Sequence, residues 1–269
     1  MNNMDENGNK GIDRFKLNRE IAYKGRIGRL RERFCIEQIK YINAYHRQSA
    51  LEQIEYAKAR GETISCQKGC SFCCHFYVEA SLQECEAIVY YLYHNEKALH
   101  TFLGKYPQWR AKLREKGDLF RRCEQIFCEM LAFGSNKPRE QAFEEAIRHY
   151  RQQNISCPFL DNDLCVIYEV RPYTCAGLFV TTPPELCNPL NPNEPKFNLT
   201  ITDEVMFDLS FYYKRLNQPN LMFMPVAVYE ILEKSLSYLS RFSGLESLEY
   251  EALNDPEVKE IIKSYNVSR

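Results

Sequence analysis

Cysteine spacing constrains this chain more than any other feature. Cys66, Cys70, Cys73 and Cys74 fall within nine residues, in the run Cys66-Gln67-Lys68-Gly69-Cys70-Ser71-Phe72-Cys73-Cys74. A second set follows at Cys157, Cys165, Cys175 and Cys187. Thiolates so closely spaced converge only around positive charge. In a reducing compartment that charge is a metal ion or an iron-sulfur cluster. Gly69, inside the first set, gives the backbone freedom to fold around such a centre.

The compartment follows from the rest of the chain. The first ten residues are polar, with acidic residues and no apolar stretch, which argues against a secretory leader. The longest apolar run, near Leu221 to Tyr229, is too short for a bilayer and contains Pro225. These features place the chain in the cytoplasm, away from membranes. Twelve cysteines in such a setting argue for metal ligation rather than disulfides. A net charge of -1 gives no bulk attraction to nucleic acid or acidic lipid. The basic stretch from Arg14 to Arg33 reads first as a solvated helix face; a nucleic-acid contact is the minority reading.

Periodicity predicts a mainly α protein. Residues 1–13 read as a disordered N-terminus, and 14–269 as one helical domain with its cysteine core at 66–187. A first helix is expected over about 14–60, with Ile27, Leu30, Phe34, Tyr41 and Tyr45 inward and Gly61 ending it. Ser81-Leu82-Gln83-Glu84 has the form of a capping box, opening a helix whose stripe is Leu82, Cys85, Val89 and Leu92. A further helix is expected from about Gln108 to Phe133. Pro138 marks the first turn of the next, through Phe143, Ile147 and Tyr150. Residues 154–198, rich in proline, read as an irregular loop with a short strand at Leu178 to Thr181. Helices are expected again from about Thr202, from Pro225, and from Pro256 toward Tyr265.

Position separates ligand candidates from structural cysteines. Cys85 and Cys123 lie on apolar stripes, and Cys35 and Cys128 lie within helical segments; all four read as small buried hydrophobes. The candidate ligands are therefore Cys66, Cys70, Cys73, Cys74, Cys157, Cys165, Cys175 and Cys187. His75 reads as a neighbour of the centre rather than a ligand, and the other histidines as ordinary helix residues. Adjacent Cys73 and Cys74 cannot easily reach one tetrahedral ion. Either one is spare or they serve different metal atoms, as in two four-coordinate sites or a multi-metal cluster. Zinc suits every spacing, and the adjacency favours iron-sulfur, including a [4Fe-4S] cluster. The Cys66-x3-Cys70-x2-Cys73 spacing also matches the radical-SAM signature. The chain lacks the strand-helix alternation of that barrel. The haem signature C-x-x-C-H fails at Cys74.

Cys66-x3-Cys70-x2-Cys73-Cys74, then Cys157-Pro158-Phe159-Leu160, then Cys165-Val166-Ile167-Tyr168-Glu169-Val170-Arg171-Pro172-x2-Cys175, resembles the YkgJ-type cysteine-cluster family. That family is described as a zinc- or iron-chelating domain with a CxxCxxCC signature. The resemblance spans roughly Cys66 to Cys187 and implies a metal-binding module. It also extends to the cysteine-rich part of flagellin lysine-N-methylases. An iron-sulfur, S-adenosylmethionine-dependent protein methyltransferase is therefore the alternative, with a protein substrate or partner. After Cys175 this chain has Ala176-Gly177, where the family pattern has a basic residue. Within the matched stretch, Arg171 is placed to offset thiolate charge and Pro172 to stiffen the approach to Cys175. Tyr168, Tyr173 and Glu169 are candidates to donate, pack or pair there. The expected architecture is a helical domain around an irregular, cysteine-rich metal-binding centre.

Overall fold

The computed structural model describes residues 18–20, 22–117, 119–134, 136–200 and 221–234, with Asn254 and Pro256. The helices expected from Thr202 and toward Tyr265 lie outside these residues, as does the N-terminus. The described residues are mainly helical, and their strands form three two-stranded antiparallel pairs. No helix among them is long and apolar enough to cross a membrane.

Helix α1, Gly25–Ala59, ends where predicted. Arg60 caps it, and Gly61 follows at φ +65, a left-handed conformation that glycine adopts without a Cβ penalty. Its buried line is Cys35, Gln38, Ile42, Tyr45 and Ser49, at alternating spacings of three and four. Tyr41, expected inward, is 53% exposed. The error arises because the inward face includes Gln38 and Ser49, which an apolar count passes over. The side chains of Ile27 and Leu30 lie outside the described set. Gln38 Nε2 donates to Tyr173 Oη (3.0 Å), Gln53 Nε2 donates to the Ala176 carbonyl (3.0 Å), and the Ser49 and Thr200 hydroxyls bond at 2.6 Å. Through these bonds α1 grips the segment carrying Cys175.

Helix α2, Leu82–His94, opens with the expected capping box. Glu84 Oε2 accepts from Ser81 N and Oγ, both at 2.7 Å, and Ser81 Oγ accepts from Glu84 N at 3.3 Å. The predicted stripe of Leu82, Cys85, Val89 and Leu92 is buried, but so are Gln83, Glu84 and Glu86. This helix is covered nearly all round in its first turns. The Glu86 carboxylate is paired with Arg31 of α1, whose Nε lies 2.8 Å away.

The sequence suggests one helix over 108–133, and the structure has two. Helix α3, Glu96–Glu115, carries Pro107 in its interior, and α4 is Leu119–Phe133. Gly117, at φ +68, makes the break between them. Helix α5, Lys137–Gln152, starts at Asn136, with Pro138 in its first turn as predicted. Asn136 Oδ1 accepts from Arg139 N at 3.0 Å. Replacing Asn136 with alanine is expected to cost about 1 kcal/mol in chemical denaturation, the usual value of a lost N-cap. An unchanged midpoint would mean that water replaces the cap.

The core sits where this helical excursion returns. Strand β1, Glu79–Ser81, pairs with β6, Leu221–Phe223, with Glu79 opposite Phe223. Phe223 stacks on Tyr77 (centroids 4.5 Å apart) and meets Trp109, Phe120 and Tyr150 within 6 Å. Phe102 of α3 stacks on Phe159 at 4.2 Å. Helix α7, Met224–Lys234, leaves β6 and packs on α2, so the aromatic core has helices on several sides.

Candidate metal centre

The two cysteine sets, separated by α2 to α5, meet through backbone contacts. Cys73 and Cys74 lie in a single 3-10 turn, Phe72–His75. The Cys157 amide donates to the Cys74 carbonyl at 2.6 Å, and Ser71 Oγ donates to Asp163 Oδ1 at 2.7 Å. Strands β2, Leu160–Asp161, and β3, Leu164–Cys165, form a tight hairpin in which Leu160 faces Cys165. Its two central residues, Asn162 and Asp163, both have positive φ, the geometry of a type I′ turn. Cys175 lies in α6, Tyr173–Gly177. The Ser65 amide donates to the Val180 carbonyl of β4, Leu178–Val180, at 2.8 Å. Strand β4 pairs with β5, Phe197–Leu199, and the 3-10 turn Pro184–Cys187 falls between them.

Two arginines serve this region. Arg151, at the end of α5, donates from one guanidinium nitrogen to the carbonyls of Leu186 (2.9 Å) and Asn188 (3.1 Å), on either side of Cys187. Its guanidinium also lies 5.5 Å from the Phe76 ring and 5.8 Å from the Phe197 ring. Arg171 lies 4.0 Å over the Tyr168 ring, and its buried Nε has no hydrogen-bond partner. Its positive charge favours the thiolate forms of Cys66, Cys73, Cys165 and Cys175. The Arg171 carbonyl accepts from His46 Nε2–H of α1 at 3.0 Å. Burial, then the Arg171 charge, pushes His46 down to about 4, so this imidazole stays neutral at physiological pH.

The thiols feel one another. A hydrogen bond from Cys74 and the Arg171 charge lower Cys73. The same bond, burial and the charges of Cys73, Cys157 and Cys165 hold Cys74 protonated. Burial and neighbouring thiolates push Cys157 up to about 12 and Cys187 up to about 11. Cys66, Cys165 and Cys175 are raised by the same causes. The raised thiols among them give up their protons more readily against added positive charge, which is how thiolate sites couple metal binding to proton release.

All eight candidates therefore lie in one region, as free thiols. They do not form a closed coordination sphere: among the described residues no three thiols, imidazoles or carboxylates are grouped to hold an ion. Cys66 and Cys73 are exposed, Cys187 is buried and the others are intermediate. Cys35, Cys85 and Cys123 are fully buried in helices, as expected, and the side chain of Cys128 lies outside the described set. His75 Nδ1 bonds its own turn at the Phe72 carbonyl, 3.3 Å away. Tyr168 stacks on Arg171, Tyr173 is buried against Tyr45 and Gln38, and Glu169 faces solvent. Sequence reading missed Arg151 and His46. The position of Arg151, six residues before Cys157 at a helix end, was a usable signal; nothing local marks His46. No family model, curated protein or solved structure matches this chain.

Proposed function

We propose that this chain is a thiolate metal-binding module of the zinc- or iron-chelating cysteine-cluster type, using Cys66, Cys70, Cys73, Cys74, Cys157, Cys165, Cys175 and Cys187. The observation that supports the reading is the meeting of the two cysteine sets, across four intervening helices, at the bond from the Cys157 amide to the Cys74 carbonyl, 2.6 Å. The donor chemistry fits. Thiolates select zinc, copper(I) and iron-sulfur clusters, and four thiolates on a divalent ion leave an excess negative charge that a nearby arginine offsets. A cysteine side chain turns about a single χ1 bond, so gathered thiols can close on an ion without refolding the backbone. The YkgJ-type resemblance agrees with this reading. The methyltransferase alternative needs an open site beside the thiols.

Protein purified without oxygen is expected to contain bound metal. Acid-labile sulfide and broad visible absorption would identify an iron-sulfur centre, and colourless protein with stoichiometric zinc would identify a zinc module. Cys66→Ser, Cys70→Ser, Cys73→Ser or Cys74→Ser should weaken metal binding by more than about tenfold, since even the loss of a supporting contact costs that much. Cys85→Ser and Cys123→Ser should bind metal as the parent does. Equal loss across both groups would remove the assignment, and metal-free parent protein would remove the reading itself.

A further inference from the structure

Residues 181–196, between β4 and β5, close on themselves. Val180 pairs with Phe197, and the Lys196 amide donates to Thr182 Oγ1 at 3.2 Å, so the two ends of the loop meet. Thr181 Oγ1 and Lys196 Nζ both donate to the Glu62 carboxylate, at 2.9 and 3.3 Å, which fixes this neck to the chain leading into Cys66. Beyond the neck the loop is stiff and bonded within itself. Pro183, Pro184, Pro189, Pro192 and Pro195 restrict its backbone. The amides of Leu186, Asn188 and Asn191 donate to the carbonyls of Pro183, Glu185 and Asn188, and those of Leu190 and Asn193 donate to the side chains of Asn188 and Asn191. A loop with joined ends and bonds of its own is an Ω-loop, a unit that can move without coming apart.

Such a unit stays down only if something holds it. Among the described residues, every hydrogen bond or ion pair from 183–195 to the rest of the protein goes to one of two arginines of α5. Arg151 donates to the Leu186 and Asn188 carbonyls, and Arg148 Nε lies 2.7 Å from Glu194 Oε1. The two arginines stand one helical turn apart on one face. Their holds are unequal. The Arg148–Glu194 pair is half exposed, and water weakens it. Arg151 is 5% exposed, so its charge-assisted bonds are shielded. The same guanidinium rests over Phe76 and Phe197, whose rings meet edge to face at 5.0 Å, and so joins the neck of the loop to the turn after Cys74. Under this hold Cys187 is 7% exposed, although Asn188 and Leu190 beside it are exposed.

We propose that residues 183–195 form a hinged cover that swings on the β4-β5 neck, with Arg151, helped by Arg148, as the latch that decides whether Cys187 is stored or presented. That Cys187 is presented to an incoming metal ion rests on the metal-binding reading above; the hinge and the latch do not. Cys187 is thereby the switchable member of the thiol set. Cys74, Cys157, Cys165 and Cys175 are carried instead by elements bonded into the body: the β2-β3 hairpin, α6, and the turn whose Cys74 carbonyl holds the Cys157 amide.

The test is alkylation of the reduced, chelator-treated full-length chain by iodoacetamide, each cysteine being followed by peptide mass spectrometry. In Arg151→Met, which keeps the bulk of the side chain but no donor, Cys187 should react at least about tenfold faster, because a bond to a charged group is worth about that factor or more. Arg151→Lys should fall between Met and the parent, and Arg148→Ala should raise the rate less than about fivefold. Cys85 and Cys123, both 0% exposed in the helical core, should keep their parent rates. An unchanged Cys187 rate in Arg151→Met would overturn the latch. A parallel rise at Cys85 and Cys123 would overturn the hinge, since the arginine would then hold the whole fold. The parent supplies a second measurement without any variant. Low urea should leave Cys187 labelling flat, because a swinging cover exposes little new surface, while Cys85 labelling climbs. Equal urea slopes at the two cysteines would overturn the proposal. Zinc(II) added to the parent should then shield Cys187. A Cys187 that stays reactive in zinc, with hinge and latch behaving as described, would count against its place among the metal ligands and not against the cover.

Discussion

Replacing Glu84 with alanine should destabilise the protein by about 3–5 kcal/mol. Glu84 is 1% exposed, and its two oxygens have different tasks. Oε2 accepts from Ser81 N and Oγ and closes the capping box of α2, while Oε1 accepts from the Tyr173 amide at 2.8 Å, at the start of α6. Alanine leaves the bond from the residue-84 amide to Ser81 Oγ in place, but strips the Ser81 and Tyr173 amides of their buried acceptor, at roughly 1–3 kcal/mol each. Burial raises the Glu84 carboxyl, and the bonds from Tyr173 and Ser81 oppose that shift. Denaturant unfolding measures the loss, and hydrogen exchange locates it: amides of 173–177 should lose protection more than those of α5. Glu84→Gln, which keeps an acceptor, should retain part of the stability. A change below about 1 kcal/mol in Glu84→Ala would show that water enters and takes over both amides.

The second large effect is a stability that falls as pH rises. Burial pushes the Glu79 carboxyl from 4.5 up to about 8, and its buried Oε1 has no hydrogen-bond partner. At low pH both folded and unfolded chains hold this proton. Between the unfolded value near 4.5 and the folded value near 8, the unfolded chain has released the proton and the folded chain has not. Stability therefore declines with pH through that window and levels off above it. The shift corresponds to roughly 3–5 kcal/mol at one unit per 1.36 kcal/mol. Glu79→Gln should remove the decline, matching the parent near pH 4 and exceeding it near pH 9. Parallel stability profiles for the two proteins would show that Glu79 reaches water when it ionises.

What the sequence discloses divides along physical lines. Features made by neighbours in the chain were readable: the Ser81-Glu84 cap, the helix start near Pro138, the stop at Gly61, and the sorting of Cys35, Cys85 and Cys123 away from the loop thiols. Features made by distant partners were not. Tyr41 was placed inside because Gln38 and Ser49, whose partners Tyr173 and Thr200 lie more than a hundred residues away, do not count as apolar. Gly117 was overlooked because a lone glycine in a helical pattern more often lowers helix stability than ends the helix. The region holding the eight thiols was legible as a set of residues. The union of the two sets through the Cys74–Cys157 bond, and the hold of Arg151 on both sides of Cys187, depend on contacts across 35 residues or more, which spacing cannot show.

The contact between Cys74 and Cys157 also sets an order of events during synthesis. Cys66 to Cys74 leave the ribosome early, and their partners follow only after four more helices have been made. Cys187 trails Cys74 by 113 residues (187 minus 74). At elongation rates of about 5–20 residues per second, the first thiols wait roughly 6–23 seconds for the last. During that interval they are a flexible, exposed dithiol-rich turn, open to oxidation and to any thiophilic ion at hand. Helices α4 and α5 can pair meanwhile, whereas α2 waits for α7 and the aromatic core for Phe223, both made after Cys187. The nascent chain therefore presents its first thiols well before the core beside them is complete.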